Sequence, residues 1–136
     1  MAADGWVYAI QRMDLLIISI SGAGIWVVLE TLKYAYDKKL SDLILLKVAG
    51  IIFVLAVITN FVSQWTGRNA NFHHITMCDE KIIAGDSEEE TLLKKIDDIN
   101  KKASIWDAFT DVFNIISLIL MLLGLGTVMI YFLFTF

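Results

Sequence analysis

The sequence predicts an all-α integral membrane protein with three transmembrane helices, the third continuing from a cytoplasmic, coiled-coil-like helix. Three observations predict it. Of the 136 residues, 57% are hydrophobic, against about 45–50% in an ordinary soluble domain. The excess lies in three blocks, each near the ~20 residues that cross a hydrocarbon layer as a helix. Proline is absent, so the Pro-broken spans of many transporters are not expected and straight helices are. Lipid offers no partner for a free backbone group, so each block must be helical.

The first span covers about 13–32, MDLLIISISGAGIWVVLETL. Its apolar core, Leu15–Leu29, is long for a signal peptide and no A-x-A pattern follows, which marks an anchor. Ser19, Gly22, Ala23 and Gly24 form a small-residue patch, with Ser19 and Ala23 on one face, suited to close helix approach. The second span covers about 43–63 and the third about 112–134. Trp6, Tyr8, Tyr34, Tyr36, Trp65, Trp106 and Tyr131 stand near the span ends, the interfacial belt pattern.

A short polar link, 33–42, makes spans one and two an antiparallel hairpin. The longer link begins GRNANFHH, without periodicity, and ends in a marked helix start. Gly85 and Asp86 break the preceding segment, and Ser87 with Glu90 forms a capping box, each side chain satisfying the other's amide. Glu90–Lys94, Asp97–Lys101 and Asp98–Lys102 are acid-before-base pairs one turn apart. Leu92, Ile96, Ile99, Ala103 and Trp106 then follow alternating steps of four and three, a heptad seam expected to join copies of the chain or a protein partner. Nothing obliges this helix to stop at the membrane surface. Three regions result: 1–65, the N-terminal tail and transmembrane hairpin; 66–86, a cytoplasmic loop; and 87–136, a stalk helix running into the third span.

Basic residues set orientation. Arg12, Arg68, Lys81, Lys94, Lys95, Lys101 and Lys102 fall on the side of the N-terminus and long link; Lys33, Lys38, Lys39 and Lys47 fall on the other or just inside it. The count of seven against four places the N-terminus and long link in the cytoplasm of a plasma (inner) membrane, with the C-terminus outside.

A net charge of −4 argues against nucleic acid, which needs a basic face. Cys78 is the single cysteine; it has no intrachain disulfide partner and fits a reducing compartment. His73, His74, Cys78, Asp79 and Glu80 are metal-capable but lack a recognised ligand spacing, so no metal and no cofactor is expected. No nucleophile elbow, phosphate loop, zincin or kinase motif occurs, and the chain reads as a non-enzyme.

Two constellations remain. Glu30 and Lys47 are ionisable residues inside spans, equally far from the hairpin turn, and suggest an interhelical ion pair. Asp107, Asp111, Asn114 and Ser117, with Met121 one turn further, share one face of the third helix. Several copies with this face inward would stack rings of carboxylate, amide and hydroxyl, as cation channels do. The expected function is therefore a small homo-oligomeric membrane protein of the pore or channel type, cation-conducting or membrane-permeabilising, in the manner of a holin or a defence effector. The alternative is a non-catalytic accessory subunit anchoring a larger membrane complex.

Overall fold

A computed structural model of the chain describes residues 2–38, 43–84 and 90–135, with side chains over 12–38, 43–82 and 91–135 apart from Leu92. These residues form three helices: α1 (Ala2–Asp37), α2 (Ile44–Ala84) and α3 (Glu90–Thr135). Their lengths are 36, 41 and 46 residues. At 1.5 Å per residue, α2 and α3 are each about twice as long as the ~30 Å hydrocarbon layer is thick, so each extends well beyond any span it makes.

All three helices are long and apolar enough to cross a membrane. Within their most apolar stretches only 22%, 28% and 28% is buried by the chain itself. So continuous an apolar exterior is a liability in water and the ordinary condition in lipid, where tails solvate it. Three threonine hydroxyls inside these stretches are satisfied locally. Thr31, Thr59 and Thr127 donate to the carbonyls of Val27, Leu55 and Leu123, each at 2.7 Å and one turn back, which lets a polar residue sit in an apolar helix.

The chain divides into two compact units, Met1–Asn60 with Asn114–Phe136, and Phe61–Phe113. In the first, buried positions recur in steps of three and four: Ile17, Ser21, Val28 and Ala35 on α1, Leu46, Ala49, Phe53, Ala56 and Asn60 on α2, and Asn114, Ser117, Met121, Gly124 and Tyr131 on α3. That spacing presents one stripe per helix to its neighbours. Val28, Leu46, Ala49, Phe53 and Tyr131 form one cluster, and Ile17, Ala56 and Met121 a second.

The Phe53 ring is held by two glycines. A Cβ placed on Gly24 would lie 2.5 Å from Phe53 Cζ, and one on Gly124 would lie 2.8 Å from Cε1. Both helices therefore close on the ring because neither carries a side chain there. This replaces the packing face expected at Ser19 and Ala23. Both of those are exposed, as is Gly22, whose surroundings are open; Ser21 and Gly24 make the inward contacts instead.

The second unit is an antiparallel pair of helix segments. Ser63 Oγ donates to the Thr110 carbonyl at 3.0 Å, and Thr110 Oγ1 donates to Thr66 Oγ1 at 3.0 Å. Gly67 faces Thr110, where a Cβ would meet Cγ2 at 3.3 Å. Further along α2, His74 bonds Asp107, and Glu80 bonds Lys95 at 2.6 Å. One expectation is corrected here. The region 66–86, read as a loop, is helical through Ala84. Its inward stripe of Ser63, Thr66, Ala70, His73 and Met77 keeps the same spacing, but small and polar members hide it from a search for apolar periodicity. The seam on α3 is partly covered within the chain: Ala103 is fully buried, and Ile96, Ile99 and Trp106 are half-buried. The side chain of Leu92 and the Ser87 cap fall outside the described residues. Asp97–Lys101 and Asp98–Lys102 form at 2.7 and 3.4 Å on the exposed helix surface, where water screens such pairs and they contribute little.

Candidate functional site

The site is a polar layer in the first unit. Below the Ile17–Ala56–Met121 cluster, one turn back on α1 brings Asp14, one turn forward on α2 brings Asn60, and one turn back on α3 brings Ser117, with Asn114 beside it. Helices α1 and α3 run in one sense and α2 in the other, so these steps all lead to the same side of the cluster. A direct contact fixes the register of α1 against α2: Asn60 Nδ2 donates to Asp14 Oδ1 at 3.1 Å.

Burial gives the layer its character. Asn60 and Ser117 are completely buried and Asn114 nearly so, while Asp14 is half-buried. Ser117 Oγ donates to the Asn114 carbonyl at 2.8 Å. The Asn114 side-chain oxygen, Oδ1, is buried with no hydrogen-bond partner among the described residues, and so is Ser21 Oγ, one turn to the far side of Ile17. An orphaned buried carbonyl costs about 1–3 kcal/mol. A carboxylate, carboxamide and hydroxyl oxygens in one stratum form a hard-oxygen donor set of the kind cations prefer.

The stripe expected on α3 is thus divided. Asp107 and Asp111 are exposed, and Asp107 Oδ2 lies 2.8 Å from His74 Nε2. Asn114, Ser117 and Met121 are buried by the chain's own helices, so in this arrangement they do not line an axis between copies. Their inward turn follows from the same 3–4 spacing that buries Gly124 and Tyr131: one stripe cannot face both the bundle and an outside axis.

Glu30 and Lys47 do not pair. Both are exposed, and no ion pair joins them among the described residues. Long side chains near helix ends reach for the interface in preference to each other. The metal-capable residues are dispersed around α2. His73 meets Phe72 edge-on at 5.9 Å, His74 and Glu80 have the α3 partners given above, and Cys78 is exposed.

Asp14 and Asn60 were not singled out by sequence, although a signal existed. Asp14 stands in step with Ile17, Ser21 and Val28, and Asn60 in step with Ala49, Phe53 and Ala56. A polar residue on the buried stripe of an apolar helix is the informative observation. No protein-family model, no curated protein and no solved structure matches the chain.

Proposed function

We propose that the chain is a small, non-catalytic, pore-type membrane protein that acts as an oligomer to let cations cross the membrane, as holin-like and defence-type permeabilising proteins do. The observation that carries this reading is the layer of Asp14, Asn60, Asn114 and Ser117 inside an apolar three-helix unit, with one oxygen left unsatisfied. Ionisable and polar groups on the buried stripe of a membrane-spanning helix are costly and mark ion paths. The path then passes through each copy's own polar layer. With the α3 seam turned inward, contacts between copies fall to the outward apolar faces, Ile105, Phe109 and Val112 among them.

The test is cation flux into liposomes containing the purified full-length protein, read with an entrapped ion-sensitive dye. Wild type is expected to leak cations, and Asp14→Asn to lower the flux by about tenfold, the effect of removing a charge from an ion path. Equal flux in the two, or none in wild type, overturns the reading. The accessory-subunit alternative rests on Phe72, Ile75 and Ile82, which are 66%, 62% and 78% exposed on one face of α2, beyond the Trp65 and Arg68 pair that resembles a membrane boundary. Silent liposomes together with a stoichiometric membrane partner in native extracts would favour it.

Orientation follows from the basic-residue count. Exposed Cys78 is expected to resist an impermeant thiol reagent in intact cells and to label after permeabilisation. Labelling in intact cells reverses the orientation.

A further inference from the structure

A groove runs along the outside of the first unit between α1 and α2, with a volume of about 490 Å³. Ile25, Leu29 and Leu32 line it from α1, and Gly50 and Val54 from α2; its lining is apolar apart from Lys47. Gly50 helps to keep it open, since a Cβ there would already press on Val28 Cγ1 at 3.1 Å. Leu29 and Val54 are exposed, so the groove opens onto the surface that lipid covers. Lys47 stands one turn into α2, its amide bonded to the Leu43 carbonyl at 3.1 Å, and its ammonium has no anionic partner among the described residues.

We propose that this groove is a binding site for an anionic phospholipid. One acyl chain lies along the Ile25–Leu32 side, and the headgroup phosphate accepts from the Lys47 ammonium. Three arguments select this occupant. The volume suits a small-molecule site, and the apolar lining suits an alkyl chain and nothing polar. The single cation stands near a helix end, where phosphates lie, and an ammonium there is a point charge for phosphate. An unpaired Lys at that level favours an anionic over a zwitterionic headgroup. The assignment also gives Lys47 a role that pairing with Glu30 does not supply.

The experiment is native mass spectrometry of the full-length protein released from micelles holding equal amounts of phosphatidylglycerol and phosphatidylcholine with identical chains. Wild type is expected to retain phosphatidylglycerol about fivefold more than phosphatidylcholine, the effect of one basic residue at a membrane surface. Lys47→Gln should remove the preference while leaving some retention of both. Leu29→Trp, which fills the groove from an already exposed position, should reduce retention of both. Lys33→Gln, on the neighbouring α1 surface outside the groove, should leave the preference intact and serves as the control. Equal retention by wild type, or a preference that survives Lys47→Gln, overturns the proposal. A lipid-free dimer dispersed by Leu29→Trp overturns it in favour of a second copy as the occupant.

Discussion

Gly124→Leu is expected to prevent the first unit from assembling. A Cβ alone at this position would approach the Phe53 ring to 2.8 Å, and leucine adds three more carbons beyond it. Phe53 has little room to retreat, because Gly24 also closes on the tip of the ring, at Cζ, Cε2 and Cε1, and the side chain is wholly buried. Overpacking ordinarily costs about 1–3 kcal/mol; with the ring fully buried between close neighbours, the upper end applies. Phe53→Ala opens the opposite defect, a cavity costing about 3–5 kcal/mol. Combining the two changes exchanges a large residue on α2 for one on α3. The double variant should therefore recover more than half of the loss, because contacting sites are not additive. Midpoints of unfolding in a graded series of denaturing detergent, followed by circular dichroism, measure all three. A double variant as poor as the sum of the singles would show that the ring does not occupy the space between the glycines.

Asn60→Leu is the second change with a large expected effect. It removes the donor at 3.1 Å from the Asp14 carboxylate and puts a hydrocarbon in its place at a fully buried position. Leaving a half-buried carboxyl group without this donor costs about 1 kcal/mol or more. Adding Asp14→Leu should restore most of that stability, because an apolar pair can replace a buried polar one at little cost. The restored protein is expected to pass no cations in the liposome assay. Stability and conduction thus separate: the single variant loses both, and the double variant loses conduction only. A double variant that still conducts would remove the polar layer from the ion path.

How much of this was legible in the residues depends on which property each feature uses. The three spans and the uninterrupted α3 were legible, because lipid imposes length and apolarity and a chain without proline has few ways to break a helix. The continuation of α2 through Ala84 was not, because Ser63, Thr66, Ala70 and His73 pack through small size and hydroxyl contacts and leave no hydrophobic period. The stripe of Asn114, Ser117 and Met121 was visible, but its direction was not. Periodicity shows that residues share a face and is silent on what that face meets. Trp106 and Ala103 posed the same ambiguity, and here too the chain's own α2 turned out to be the neighbour. Asp14 passed unnoticed beside Arg12 at the mouth of the span, where a carboxylate is easily taken for a solvated one.

The division of α2 between two sets of neighbours has a consequence for biosynthesis. Leu46, Ala49 and Phe53 meet α1 residues such as Val28, which leave the ribosome first, so the leading part of α2 gains a companion almost at once. Ser63 and Thr66 instead bond to Thr110, which is made dozens of residues later. At translation speeds of about 5–20 residues per second, the Ser63 hydroxyl waits for seconds without the Thr110 carbonyl, while Thr66 Oγ1 keeps its bond to the Ser63 carbonyl within α2 at 2.8 Å. A nascent chain arrested before α3 therefore displays an uncovered polar stripe, and that stripe distinguishes an unfinished molecule from a complete one to any membrane protease that surveys new helices.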